Sequence, residues 1–303
     1  AAQPGANTDT ILRNADIAMY RPKDAARNQL SRYDPAMSVA QQERFQLEQS
    51  LRVAMETNAF RLAYQPIVSV ETNEIVGYEA LVRWTDPLRG EVSPALFIPI
   101  AETTGLILPL GRLILEWACF AAAGWPNTRT VAVNLSPAQF QDETLLDTIK
   151  DVLDRSKLAP SRLELEVTEG MLLENTQSVQ DTMRALRDIG VSLTLDDFGT
   201  GHAGLSTLRR FSFQKIKIDR VFVSNLGINR EADAIVEAML LLSRRLNLSV
   251  VAEGVELETQ LEHLRRLRCP FVQGYLTGRP QPPDALIEFD RSATVERSCA
   301  SAL

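Results

Sequence analysis

The sequence predicts a modified (β/α)8 barrel of the TIM type with an antiparallel first strand. Three observations carry this. From Phe60 onward, short apolar runs alternate with helical-period segments, the mark of a mostly parallel sheet. Eight such runs fit into about 230 residues, the usual size of an eight-stranded barrel. The first two are separated only by Val70-Glu71-Thr72-Asn73, too short for a crossover helix, so they pair as a hairpin.

The elements follow in order. Residues 10–20 have helical spacing after an Asp9 or Thr10 cap, and the text to Pro35 reads as a turn and a short strand. Residues 1–37 are too few for their own core and read as the end of a preceding domain or as a helical arm. A linker helix spans 38–58, with Phe45, Leu47, Leu51, Ala54 and Met55 apolar among Gln, Glu and Arg. The barrel covers 59–288. Its strands are expected at 61–69, 74–84, 130–135, 162–167, 191–196, 214–219, 248–253 and 271–275. Helices are expected near 94–103, 107–123, 142–156, 175–189, 203–210, 230–246 and 257–268. Residues 289–303 form a polar tail.

Composition narrows the class. Hydrophobic residues at 45% and charged residues at 23% fit a folded soluble domain. A net charge of −7 argues against binding a nucleic-acid polymer. Cys119, Cys269 and Cys299 are odd in number and far apart, which excludes a disulfide framework and fits a reducing compartment. His202 and His263 are the only histidines, too few for a His/Cys zinc site. The longest apolar stretch, Gly105 to Gly124, carries Arg112 and Glu116 and reads as a core helix, so no membrane contact is expected. The first residues lack the basic and apolar regions of a secretory signal.

Functional groups of such a barrel sit at the C-terminal strand ends. Period-2 alternation places Glu79 and Arg83 on one face of the second strand. Asn134 ends the third strand. Glu164 and Glu166 share a face of the fourth, followed by Thr168 and Glu169. Asp196-Asp197 ends the fifth, Lys215, Lys217 and Asp219 share a face of the sixth, Glu253 ends the seventh and Gln273 the eighth. Glu79, Glu166, Asp196, Asp197, Glu253 and Asn134 would converge on one mouth, where their repulsion requires a cation. All-oxygen ligands indicate Mg2+ or Mn2+. Adjacent aspartates suit two ions, the clamp used in phosphoester hydrolysis. Taken singly, each residue also has a structural reading: Glu79 as an ion-pair partner, Asp196-Asp197 as a turn and cap, Asn134 bonded to local backbone, Lys217 neutralising Asp219. Glu164 reads as structural.

At these residues the chain resembles a known family. The segments YQPIV (64–68), EALVRW (79–84), VNLSPAQF (133–140), LELEVTE (163–169), LDDFGTGHAGLSTL (195–208), KIKIDRVFV (215–223), VVAEGVE (250–256) and VQGYLTGRP (272–280) resemble, in order, the motifs of the EAL-domain family of bacterial cyclic di-GMP phosphodiesterases. The resemblance covers roughly 41–288. It implies hydrolysis of cyclic di-GMP to linear pGpG with two Mg2+ or Mn2+ ions. Glu79, Asn134, Glu166 and Asp196 match the ligands of one ion, and Asp196, Asp197 and Glu253 the surroundings of the other. Lys217 matches the residue that orients or deprotonates the attacking water, so Lys217, Glu253 and Asp197 are the expected catalytic groups. Gln65, Arg83, Gln273, Asp219 and Pro280 match the substrate side, with Pro280 near a guanine, and Glu169 matches a loop-stabilising glutamate. The filled ligand set favours an enzyme over a receptor that binds the dinucleotide without cutting it.

The loop after Asp197 departs from the family pattern. His202-Ala203-Gly204-Leu205 stands where Tyr-Ser-Ser-Leu is usual, in a loop linked to dimer contact and metal-site ordering. Residues 12–35 resemble the last helix and strand of a GGDEF domain. The resemblances imply a longer GGDEF–EAL parent, a cytoplasmic location and a homodimer.

Overall fold

The computed structural model of the chain describes residues 33–57, 59–125, 129–174, 177–199, 211 and 213–286. The GGDEF-like segment up to residue 32, the expected helix at 203–210, the His202–Leu205 departure and the polar tail lie outside the described residues. Pro35, read as the end of a strand, instead opens helix α1 (Pro35–Glu56). The reason is local: Asp34 Oδ1 accepts the Ala36 N–H at 3.0 Å, and proline at the first helical position has no N–H to leave unsatisfied. Leu47, Leu51 and Ala54 form the buried face of α1, whereas Phe45 is exposed.

The next strands are β1 (Phe60–Ser69), β2 (Ile75–Asp86) and a three-residue β3 (Gly90–Val92) that the sequence reading missed. The tight turn before β3 is made by Asp86, whose Oδ1 accepts from the Leu88 and Arg89 N–H groups, both at 2.9 Å. There follow α2 (Pro94–Thr104), α3 (Ile107–Ala123), β4 (Thr130–Leu135), α4 (Pro137–Phe140), α5 (Leu145–Ser156), β5 (Leu163–Thr168) and α6 (Gln177–Asp188). The chain continues through β6 (Ser192–Phe198), β7 (Lys215–Ile218), α7 (Arg220–Val223), α8 (Arg230–Arg245), β8 (Ser249–Ala252), α9 (Glu258–Arg266) and β9 (Phe271–Val272).

The sheet runs β1-β9-β8-β7-β6-β5-β4-β2-β3, and β1 also pairs with β2, so eight strands close and β3 hangs outside. β1 is antiparallel to both neighbours, and the others within the ring run parallel. This is the expected (β/α)8-type barrel with its reversed first strand. Residues pointing outward, such as Val131, Val133, Leu163, Leu165, Leu193, Leu195, Ile216 and Ile218, are buried under the helices. Those pointing inward are polar, among them Glu164, Glu166, Thr194 and Lys217, all buried. One strand flank is crowded to contact: α3 passes so close to α4 that a Cβ on Gly111 would lie 1.9 Å from Gln139 Nε2. Gln139 is held there by a capping box with Ser136.

β9 is shorter than the expected 271–275 because the chain turns at Gly274. A Cβ there would meet the Val255 backbone at 2.1 Å from O and 2.3 Å from N. Backbone cannot give way as a side-chain tip does. Gly274→Ala is expected to lower unfolding stability by about 2–3 kcal/mol, the usual cost of overpacking. A denaturant midpoint equal to that of the parent would contradict this account.

Candidate active site

The inward polar residues meet at the C-terminal ends of the parallel strands. Register explains why. Asn134 is the neighbour of Glu166 across β4–β5, Thr168 of Asp196 across β5–β6, and Gln65 of Glu79 across β1–β2. Because β1 is reversed, Gln65 reaches the mouth from mid-strand, not from a strand end.

Lys217 is the centre of the arrangement. Its Nζ lies 2.7 Å from Glu253 Oε1, 2.8 Å from Glu166 Oε2, 3.3 Å from Glu79 Oε2 and 3.7 Å from Asp196 Oδ1. Glu79 also accepts from Asn134 Nδ2 at 2.7 Å and Gln273 Nε2 at 2.6 Å. Gln273 Nε2 further touches Gln65 Oε1 at 3.3 Å, and Gln65 Nε2 donates to Gly278 O at 3.2 Å. The reading in which Lys217 neutralises Asp219 gives way to this fourfold contact. Asp219 instead caps α7, accepting the Val221 N–H at 2.7 Å. Glu164 pairs with Lys215 at 2.6 Å, one inward position deeper, which fits its structural reading.

Exposure is graded across the site. Side-chain exposure is 1% at Lys217 and Glu166, 8% at Glu79, 13% at Asp196 and 19% at Glu253. Solvent therefore reaches the cluster from the Asp196–Glu253 side. Asp196, Asp197 and Glu253 form an acidic group that could hold a metal ion, with ligand oxygens all within 4.8 Å of one another. Asp197 has a left-handed backbone, φ 55°, a conformation costly for a non-glycine residue. Gly199 follows at φ 99°, and its N–H donates to Glu169 Oε2 at 3.3 Å. Buried Glu169 thus holds the turn that sets Asp197.

Arg83 and Pro280 stand away from this cluster. Arg83 lies four residues beyond Glu79 on β2, about 13 Å along the strand, and its guanidinium donates to Val82 O at 2.9 Å. Pro280 is half-buried on the rim segment that leads to Gln281, whose backbone exchanges hydrogen bonds with Tyr64. Sequence reasoning missed the Gln65–Gln273–Glu79 chain. Parity places Glu79 inside and a strand end places Gln273, while Gln65 comes only from the family resemblance, and only the three-dimensional closure of β1 against β9 brings the two amides together.

The electrostatics follow from burial and crowding. Burial lowers the tendency of Lys217 to hold its proton, but the carboxylates around it overcome this and raise its pKa well above the ordinary lysine value. Burial raises Glu79, yet Lys217 and the two amide donors bring it below the usual range. Glu166 is raised well above it by burial, against Lys217, with Glu79 and Asp196 adding repulsion. Asp196 is raised by burial. Burial pushes Glu253 to about 7, and burial with the neighbouring Asp196 and Asp219 pushes Asp197 to about 6.

Fold and site together define a class: an eight-stranded (β/α) barrel whose mouth concentrates carboxylates around one buried ammonium, with room for a cation on its open side. The chain belongs to the EAL domain family, whose model matches residues 48–280. It is 44% identical over 282 residues to an uncharacterized signaling protein of Caulobacter vibrioides, covering 93% of this chain and 35% of that one. It is 40% identical over 287 residues to the bifunctional diguanylate cyclase/cyclic di-GMP phosphodiesterase MucR of Pseudomonas aeruginosa, covering 93% and 42%. The solved PaMucR phosphodiesterase in its c-di-GMP complex superimposes with a TM-score of 0.76 at 41% identity, covering 80% of this chain and 99% of that one. The chain thus spans well under half the length of these curated relatives. Among the described residues no helix is long and apolar enough to cross a membrane.

The raised carboxylates give a pH dependence of definite sign. Glu253 and Asp197 have unperturbed values of 4.5 and 3.8. Between about pH 4 and 7 the metal-free folded state binds protons that the unfolded chain has already released, so stability falls as pH rises through this window. A loss on the order of 3 kcal/mol, most of it from buried Glu253, is expected between pH 5 and pH 8 in EDTA. Urea melts showing stability rising over that interval would overturn the assignment of Glu253 and Asp197 as crowded, raised acids.

Proposed function

We propose that this chain is a metal-dependent phosphodiesterase that opens cyclic di-GMP to linear pGpG. The observation that carries the proposal is the Lys217 cluster: four carboxylates face one ammonium, an excess of negative charge that fits added cations. The oxygen-only donor set suits Mg2+ or Mn2+. Gln273 Oε1, buried without a hydrogen-bond partner in a metal-free site, fits the same reading, because it is an acceptor free for an ion's water. We assign Asp196, Asp197 and Glu253 to one ion, and Glu79, Asn134, Glu166 and Asp196 to a second. Bound divalent ions would supply charge to polarise the phosphodiester and to favour ionisation of water.

The chain's own groups do the rest. Lys217, firmly protonated, donates to the attacking water and orients it. Glu253, 2.7 Å from Lys217 and on the side of the cluster that solvent reaches, accepts its proton. The water oxygen bonds to phosphorus in line with the departing 3′ oxygen, the P–O3′ bond breaks, and the 3′ oxygen takes its proton from solvent as it leaves. Gln65, Gln273, Arg83, Asp219 and Pro280 lie on the substrate side. Support for this assignment comes from the mouth position of Gln65 and Gln273 and from the family's c-di-GMP complexes. The reading extends to a reducing cytoplasm, supported by the buried free thiols Cys119 and Cys269. It extends also to a homodimer, which rests on the family resemblance of the loop after Asp197.

Chromatography of cyclic di-GMP incubated with the protein should show pGpG with Mg2+ or Mn2+ and none after EDTA. Full turnover after exhaustive chelation would end the metal account. Glu79→Ala should lower kcat/KM roughly a thousandfold or more, since a metal contribution of several kcal/mol is lost. Glu256→Ala, at an exposed residue past the strand end, should have little effect, and equal losses would refute the division.

Glu169→Ala tests the turn. Metal affinity and turnover should fall roughly 10- to 100-fold, as for residues that orient ligands, with circular dichroism unchanged. A fully active variant would remove Glu169 from the site.

A further inference from the structure

One hydroxyl inside the barrel is bonded to none of the groups around it. Thr194 is 0% exposed, and its Oγ1 has no hydrogen-bond partner among the described residues. A hydroxyl buried in that state loses its hydration without compensation. Valine has the same branched outline and suits a strand equally well. Packing therefore does not explain a threonine at this position, and the hydroxyl calls for a polar ligand.

Register sets the surroundings of Thr194. It lies beside Glu166 of β5 and beside Lys215 of β7. Adjacent strands are about 4.8 Å apart and side chains in register share a face, so two charged side chains flank the hydroxyl. Neither turns to it. Glu166 Oε2 accepts from Lys217 Nζ at 2.8 Å, toward the mouth. Lys215 Nζ reaches both oxygens of Glu164, at 2.6 and 2.8 Å, away from the mouth. Thr194 thus stands between two ion pairs, one in the candidate active site and one beneath it. Ala132 faces the interior in register with Glu164 and puts only a methyl group into this level. Two bonding capacities are left over here. Lys215 has three N–H donors and Glu164 takes two. Glu166 has about four acceptor positions, and among the described residues Lys217 is its one donor.

We propose that Thr194 anchors a buried water that joins the Glu164–Lys215 pair to the Glu166 carboxylate, and that through this water Thr194 is a positioning residue for Glu166. The water accepts from the Thr194 hydroxyl and from the third N–H of Lys215, and it donates to Glu166. Three polar partners are the usual number for a buried water. Held from beneath as well as by Lys217, the Glu166 carboxylate keeps one orientation toward the mouth. Groups that orient a metal ligand in this way are worth roughly 10- to 100-fold in metal affinity. The positioning role rests on the metal reading proposed above.

The test uses the whole chain with Thr194→Val and Thr194→Ala, which remove the hydroxyl, and Thr194→Ser, which keeps it. Crystals of the parent grown in EDTA should show a water within hydrogen-bond distance of Thr194 Oγ1 and of a Glu166 oxygen, and Thr194→Val should lack it. Calorimetric titration with Mn2+, without substrate, should give affinities roughly 10- to 100-fold lower for Thr194→Val and Thr194→Ala, and within about threefold of the parent for Thr194→Ser. A merely structural hydroxyl would shift the unfolding midpoint alone. Mn2+ affinity within twofold of the parent in both the valine and alanine variants therefore overturns the positioning role. A parent crystal with only protein atoms around Thr194 Oγ1 overturns the water. A parent that binds no Mn2+ ends the metal reading and the positioning role with it. A parent that binds Mn2+ with the expected dependence on Thr194 but leaves cyclic di-GMP uncut ends the phosphodiesterase reading and supports this one.

Discussion

The ammonium of Lys217, buried against four carboxylates, is the constraint around which the barrel interior is built. A charge so enclosed is tolerable only when its partners are close and themselves hydrogen-bonded. Asn134 and Gln273 supply that second requirement by donating to Glu79. The consequence reaches into the strands. Glu79, Glu166, Asp196 and Lys217 come from four strands and Glu253 directly follows a fifth, so their contacts fix the relative heights of β2, β5, β6, β7 and the end of β8. A one-residue slip of any one strand would turn its polar member out to the helices and an apolar residue into the mouth. One electrostatic cluster therefore enforces register and provides chemistry.

The same cluster explains the division between rigid and adjustable parts. Its closed side, at Lys217 and Glu166, excludes solvent almost wholly. Its open side, at Asp196 and Glu253, borders a turn held in an unfavourable left-handed conformation at Asp197. Strain there persists because Glu169 and the close surroundings of Gly199 restrain it. A Cβ on Gly199 would come within 2.3 Å of Met239 Cε. The closed half fixes the charge cluster, and the open half is the side that solvent reaches.

Much of this was legible in the sequence. Alternation, element spacing and the short link after β1 indicated the barrel and its reversed strand, because inward and outward residues differ so sharply in polarity. The convergence of Glu79, Asn134, Glu166, Asp196 and Glu253 followed from alternation at Glu79 and from strand-end positions at the others. What remained hidden depended on contacts between distant segments. Parity could not tell whether Lys217 would face Asp219 or the acids of other strands, since Asp219 sits past the end of β7 and is drawn into capping α7. Pro35 was misread because a proline ends a strand as readily as it begins a helix, and only the Asp34 cap decides. The three-residue β3 was too short to leave a periodic signal.

The reversal of β1 has a consequence for communication. In an all-parallel barrel the chain enters at the end remote from the reactive mouth. Here Phe60, the first residue of β1, lies opposite Trp84, near the far end of β2, so α1 delivers the chain directly at the mouth. A rotation or pull on α1 would be transmitted to Gln65 through five residues of a single strand, without crossing the barrel. The end of the barrel that receives α1 is therefore also the end that carries the carboxylates.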